Sequence, residues 1–320
     1  MTTAAAATDA DDRTEAFPAP SFGSLLRAEV LRVRSRRFVA WSALALLLLM
    51  LLVAATYFNT TQSYGDAELR SALNACTAAD GGGAADPTGD GVPGSPCSVG
   101  DAVSLGVFAG DPPAYRGEIP DWAMAVGVAA AAFGFILGAT FGGADWAQRT
   151  MPALLFWEPR RTRVYLAKLL ALAVGVTVFF VAAQLVWGAL SAPTQLAHGV
   201  WDDGTGPLLE PLLTNLGRTW VLAMVFAAVG FGIACLTRNT GAALGAGFVY
   251  FALFETFIGI LFSRLQDWLL LVNIAALLTP GGLAEDGLMI SSQRGALVLM
   301  GYALIINAVA YAAFRRRDLT

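Results

Sequence analysis

The sequence predicts an all-α polytopic membrane protein: six transmembrane helices, an N-terminal interfacial helix, a short helix on a cytoplasmic loop and a re-entrant helix on the outer side. Three observations predict it. First, 56% of the 320 residues are hydrophobic and only 14% are charged, with a mean hydropathy of +0.61, which leaves too little polar surface to coat a water-soluble globule. Second, the apolar residues fall into six runs of about twenty, the length that crosses a hydrocarbon core as a helix. In lipid the backbone must pair its polar groups within itself, so such runs do not form open sheets. Third, charge segregates along the chain. Assigning the charges near each connection alternately to two sides gives one side 15 basic and 8 acidic residues and the other 5 and 15, and leaves one acid, Glu255, within the membrane. The arginine excess marks the first side as cytoplasmic and puts both termini there. The formal net charge of −4 hides this segregation. Nineteen arginines against one lysine, with much Ala and Gly, hint at a bacterial chain, hence the inner (plasma) membrane. The basic residues sit at membrane edges, where orientation and lipid-phosphate contact account for them; the bilayer is the implied partner, not nucleic acid.

In order, residues 1–20 are Ala-, Thr- and Asp-rich with no apolar period and read as a disordered cytoplasmic tail; residues 21–320 form the six-span membrane domain. From Ser21 to Arg37, Phe22, Leu25, Leu26, Val30 and Val33 share one helical face, the pattern of an interfacial helix. Glu29 falls inside that apolar arc. Either a basic residue pairs with it, from nearby or from the central loop, or it is solvated at a bent helix end. The first span, Phe38–Phe58, is too long and begins too late for a cleaved signal and reads as a retained anchor. The exterior loop over 59–120 is rich in Asp, Gly and Pro, without the alternating ligands of a calcium loop. Cys76 and Cys97 lie in it, and on the oxidising side of a membrane they are expected to form a disulfide.

The second span, Trp122–Gly143, carries Gly134, Gly138 and Gly142 at intervals of four, a strip along which another helix can approach closely. Phe133, Phe135 and Phe141 lie on other faces, lining a cavity or facing lipid. Asp145 to Lys168 is a charged island between two apolar runs and is expected in water. Within it Met151, Leu154, Leu155 and Phe156 with Trp157 repeat at helical spacing; Thr150 can cap this short helix, and Pro159 ends it. Taken alone it is either an ordinary positive-inside loop or a docking helix. The third span, Val164–Leu190, holds Gln184, read as an interhelical hydrogen bond, and His198 beyond it reads as a surface loop residue. The fourth span is Leu213–Leu236. The fifth, Ala242–Phe262, begins at a second four-residue interval, Gly241 and Gly245, and contains Glu255, either a functional site or a structural hydrogen bond. Trp268–Leu278 is too short to span and is stopped by Thr279-Pro280-Gly281-Gly282, which suggests a re-entrant or interfacial helix. The sixth span, Arg294–Phe314, ends on three arginines.

Some chemistry lacks its residues. There is no GxxxxGK[ST] loop, and the lone Lys168 follows Leu-Ala. One histidine and three cysteines make neither HExxH nor a closed zinc site, and no Ser-His-Asp set is apparent. No catalytic, metal or cofactor site is expected in this chain.

This order of elements resembles the type-2 ABC transporter permeases, six-span subunits whose ATPase is commonly a separate chain. The matches are Ala28-Glu29 followed by basic residues, an acid then Thr-x-x-x-Leu-Leu at Asp145, Thr150, Leu154 and Leu155, then Pro159-Arg160-Arg161, Lys168, and a terminal Arg316-Arg317-Asp318. The chain departs where Arg149 replaces a frequent Gly and where Pro152 enters the docking helix; both bear on the angle of that helix. The resemblance implies export, a P-loop ATPase partner carrying ATP and Mg, and a second permease copy, identical or related. It implies ATPase docking through Glu29, Asp145, Arg149, Thr150, Leu154, Leu155, Phe156, Arg160 and Arg161. Spans two and five would face a pathway, with Phe133, Phe135, Tyr250, Phe251, Phe254 and Glu255 along it. The alternatives are an ion-coupled secondary transporter using Glu255 and a non-transporting membrane partner of a sensor or assembly complex.

Overall fold

Six helices of the computed structural model are long and apolar enough to cross a membrane, one for each apolar run, and the chain is an all-α polytopic membrane protein. The structure describes residues 21–34, 37–80, 97–151, 154, 160–202, 204, 206–285 and 288–316. The expected tail at 1–20 lies outside the described residues, as do Leu155, Phe156, both loop prolines and the terminal Arg317-Asp318. The helices are α1 (Phe22–Arg34), α2 (Arg37–Asn59), α3 (Asp66–Asp80), α4 (Val99–Ser104), α5 (Ile119–Ala147), α6 (Arg161–His198), α7 (Leu209–Thr237) and α8 (Thr240–Val249). A π turn, Tyr250–Phe254, joins α8 to α9 (Glu255–Leu261); α10 (Leu270–Leu278) and α11 (Ser292–Arg316) follow. The crossing elements are α2, α5, α6, α7, the α8–α9 unit and α11.

The centre of the bundle is the seam between α5 and α7, and glycine makes it. A Cβ on Gly138 would lie 2.0 Å from the Ala227 carbonyl oxygen, one on Gly142 2.8 Å from that of Phe231, and one on Gly134 3.1 Å from that of Ala223. Gly230 answers from α7, where a Cβ would come 2.3 Å from the Phe135 oxygen. The two backbones therefore touch along the strip, the close approach that small residues permit between membrane helices. The second interval behaves differently. Gly245 meets nothing within 4 Å and Gly241 only Asn239; the close glycine on α8 is Gly247, against the ring of Phe135. Spacing alone did not distinguish a strip with a facing backbone from one without.

Helix α6 is longer than expected and continues through Pro193 to His198. Its last turns are held by α2 and the residues just after it: Gln195 Nε2 donates to Tyr57 Oη at 2.9 Å, and Thr61 Oγ1 and His198 Nδ1 lie 3.0 Å apart. His198 is thus a half-buried helix terminus with its ring 4.8 Å from that of Phe58, and not a loop residue. Gln184 makes the interhelical bond, donating to the Ala123 oxygen at 2.9 Å. The segment read as a solvated loop contains α3 and α4. The Cys76–Cys97 disulfide joins the end of α3 to the entry of α4, where Ser98 and Asp101 form a capping box. A two-residue parallel pairing, Ala114–Tyr115 with Gly199–Val200, ties this segment to the end of α6. Glu118 is engaged there too. It accepts from the Tyr57 hydroxyl, from the Tyr115 amide at 3.0 Å and from Trp122 Nε1 at 3.2 Å.

Candidate functional site

The arginine-rich end of the bundle holds a buried ion network. Helix α1 lays Leu25, Leu26 and Val30 on the core. Glu29, four residues after Leu25, is therefore carried inward on the same face. It is 1% exposed, and Asp145 near the end of α5 and Lys168 two turns into α6 are each 2% exposed. Lys168 Nζ donates to Glu29 Oε2 at 3.0 Å and to Asp145 Oδ2 at 2.5 Å, and Arg32 Nη1 donates to Glu29 Oε1 at 2.7 Å. Two carboxylates meet two cations, which is the condition under which charges persist away from water. Lys168 also stands 5.0 Å from the centre of the Phe141 ring, a cation–π contact. The two ends of the charged island are therefore not solvated, contrary to the sequence expectation. Helices α5 and α6 extend beyond their apolar runs, and the terminal charges face each other and α1.

Beyond Asp145 the chain turns sharply. Arg149 has φ +55°, its N–H bonds the Trp146 oxygen at 3.1 Å, and the Thr150 N–H reaches back to the Asp145 oxygen at 3.0 Å. These two bonds make a Schellman motif, whose left-handed residue is usually glycine. Arg149 thus occupies a conformation that suits the glycine it replaces. The Thr150 hydroxyl donates backward to the Asp145 oxygen at 3.3 Å; residues 152 and 153, where its expected forward capping would fall, lie outside the described residues. A helical bond, Leu154 N–H to the Thr150 oxygen at 3.1 Å, follows. Met151 is buried, and Leu154 packs against the core. Arg160 is exposed at the surface. Arg161 Nη1 donates to the Phe314 and Arg315 oxygens at 3.2 and 2.9 Å, capping α11. The second turn at this end also carries a left-handed arginine: Arg238 has φ +56°, its guanidinium lies 5.0 Å over the Trp146 ring, and Asn239 caps α8.

Helices α5, α7, α8, α10 and α11 with the π turn surround two adjoining cavities, of about 350 and about 590 Å³. Phe135, Phe226, Gly247 and Phe251 line both; Tyr250, Leu270 and Tyr302 line the smaller. Of the residues expected along a pathway, Phe135, Tyr250 and Phe251 come together here. Phe133 instead packs against Phe179 of α6, with ring centres 6.2 Å apart. Phe254 is exposed and lines neither cavity. Glu255 is 3% exposed, and its Oε1 accepts from the Leu271 N–H at 2.6 Å. This carboxylate caps α10 from another helix, since Leu269 at the cap position supplies no side-chain bond. At the other end Arg218 Nη1 donates to the Leu278 oxygen at 3.2 Å. A carboxyl oxygen at the first turn and a guanidinium at the last thus satisfy backbone groups that α10 leaves unpaired at its two ends.

Sequence reasoning missed Lys168 as the hub of the network, and with it Arg218, Phe226 and Tyr302. The signal for Lys168 was its being the single lysine; for Arg218 it was a charge inside an apolar helix. Among the described residues, no group of three His, Cys, Asp or Glu is placed to share a metal ion. The family model described as "ABC-2 family transporter protein" matches residues 29–319. No curated protein matches the chain.

Proposed function

The chain belongs to the ABC-2 transporter family, and from that premise we propose that it is the permease of an ATP-driven exporter, docking a separate P-loop ATPase at its arginine-rich end. The observation that carries this reading is the buried Glu29–Lys168–Asp145 network. A loop that served orientation alone needs only exposed arginine. Here the helices on both sides of the loop, and α1 beside them, are joined by charges that are costly to bury and costly to separate. Such a joint suits an element that receives force.

In this mechanism both termini are cytoplasmic, and two permease copies stand side by side. ATP and Mg bind the partner ATPase. Closure of the ATPase pair pushes on residues 149–154, and the network passes that displacement to α1, α5 and α6 together. The permease contributes a difference in affinity between an inward-open and an outward-open shape. Phe135, Tyr250 and Phe251 line the stretch of pathway that the cavities represent. The ion-coupled reading is less favoured, because Glu255 has a structural task in capping α10.

The test is site-specific photo-crosslinking in native membranes. A crosslinking side chain at Thr150, which is exposed, captures a protein yielding Walker-A peptides by mass spectrometry. The same side chain at Leu297, exposed on α11 toward its start, does not. Absence of an ATPase at position 150, or equal capture from both positions, overturns the proposal.

A further inference from the structure

Two arginines hold backbone conformations that suit glycine. Among the described residues, Arg149 at φ +55° and Arg238 at φ +56° are the non-glycine residues in the left-handed region, where a Cβ crowds the backbone and glycine carries no such cost. Strain of this kind persists where the side chain has a task. The two lie in different loops, yet one residue joins them. The Arg149 N–H bonds the Trp146 oxygen at 3.1 Å, and the Arg238 guanidinium lies 5.0 Å over the Trp146 ring. Behind them the loops meet through backbone, since a Cβ on Gly143 would lie 2.7 Å from the Thr240 N. The turn after α5 and the turn between α7 and α8 are therefore one surface.

Resting on the permease reading, we propose that Arg149 and Arg238 act as a pair that holds carboxylates of the partner ATPase, so that the ATPase docks on both turns. Burial sorts the charges at this end. The acids described there, Glu29 and Asp145, are both buried, while Arg149, Arg160, Arg238, Arg315 and Arg316 are exposed. Among the described residues, no acid remains at the surface of this end to neutralise them. A guanidinium over an indole face still offers N–H donors at its edge, the edge by which arginine meets a carboxylate with two parallel bonds. Lipid phosphate is served by arginine in any conformation and needs no fixed pair. A protein that must dock in one register does need one, and complementary charge across an interface fixes that register.

Lys168 is the single lysine of the chain and is 2% exposed, so a lysine placed on the surface is a unique side-chain amine there. Arg149→Lys and Arg238→Lys, made separately, keep the charge, and a carbodiimide joins an amine to a carboxylate only where the two touch. In native membranes each new lysine is expected to be joined to an Asp or Glu of a protein that also yields Walker-A peptides, located by mass spectrometry of the joined peptides. Failure of either position to join an ATPase carboxylate, the outcome if lipid phosphate or this chain's own acids are its partner, overturns the proposal. The ATPase so identified is then titrated against the full chain in nanodiscs of zwitterionic lipid. Arg149→Gly combined with Arg238→Gly is expected to weaken its binding about tenfold or more, the size of a charged hydrogen bond lost. Glycine suits both backbones, so this loss comes without a loss of stability in denaturant unfolding. An affinity unmoved by the double variant overturns the proposal. If a crosslinker at position 150 captures an ATPase while neither lysine is joined to it, the arginine inference falls and the permease reading stands.

Discussion

Replacing Lys168 with methionine removes the hub of the buried network while nearly preserving its volume. The Arg32–Glu29 pair is 40% exposed on the arginine side, and solvent screening makes it a weak substitute. Both Lys168 pairs are nearly fully buried, at 3% exposure or less on every side chain. Removing one member of a buried ion pair costs about 3–5 kcal/mol, because the remaining charge stays out of water without its partner. The expected loss for Lys168→Met is in that range, read from denaturant unfolding of the purified chain in detergent by tryptophan fluorescence. The triple variant Glu29→Leu, Asp145→Leu, Lys168→Met leaves only the partly exposed Arg32 charged at the site and is expected to recover most of the loss, since buried ion pairs replaced by apolar residues of similar volume are often close to neutral in stability. The two results together distinguish charge from packing. A single variant within about 1 kcal/mol of the unaltered chain, or a triple variant as unstable as the single one, would refute the reasoning, since uncompensated charge would then not be what the site resists.

Gly138→Ala places a methyl 2.0 Å from the Ala227 oxygen and is expected to cost about 1–3 kcal/mol by overpacking, whereas Gly245→Ala, which meets nothing, stays near neutral in the same unfolding assay. Cys76→Ser opens a disulfide between cysteines 21 residues apart, an expected loss of about 3 kcal/mol; thiol labelling of denatured, unreduced protein should find Cys235 alone in the parent chain and Cys97 as well in the variant. Arg149→Gly releases a left-handed non-glycine residue and should stabilise the chain by about 0.5–1 kcal/mol; equal or lower stability would show that the Arg149 side chain contributes more than its backbone costs.

The spans were legible because length and apolarity are local properties, and the first glycine strip was legible because its interval is helical. The partner surfaces were not. Gly134, Gly138 and Gly142 meet the backbone of α7, while Gly241 and Gly245 at the same interval do not meet another helix. Glu29 announced a need for compensation by its place on an apolar face, but its buried partner Lys168 is 139 residues away in sequence. The end of α6 was misplaced for a related reason. Gln195 and His198 look like loop residues until α2 brings them Tyr57 and Thr61. In the cavity, Phe135 and Phe133 are two residues apart on one helix and face different neighbours. Periodicity separates their faces but does not say which one borders an empty volume.

The uneven burial of the spans bears on how the proposed permease would transmit force. About 56% of the apolar window of the fourth span is buried, against 12% for the fifth. Helices α5 and α7 share a backbone-tight seam, so a displacement entering α5 at Asp145 carries α7 with it and leaves the shape between them unchanged. The α8–α9 unit is backbone-close to α5 at its start, beside Gly143, and is interrupted farther on by the π turn, where the i to i+5 bonding gives a wider and less regular helix. It meets α5 at Thr240, whose backbone N would lie 2.7 Å from a Cβ on Gly143, at Ala243 beside Ala139, and at Gly247 under the ring of Phe135. Movement of α5 would therefore reach the cavity mainly by shifting its α8–α9 wall, the wall that contributes Gly247, Tyr250 and Phe251. Glu255 stands just beyond that wall and is held by the amide of Leu271. A shift large enough to break that bond would uncap α10, so the shape of the cavity wall and the order of α10 should change together in the proposed transport cycle.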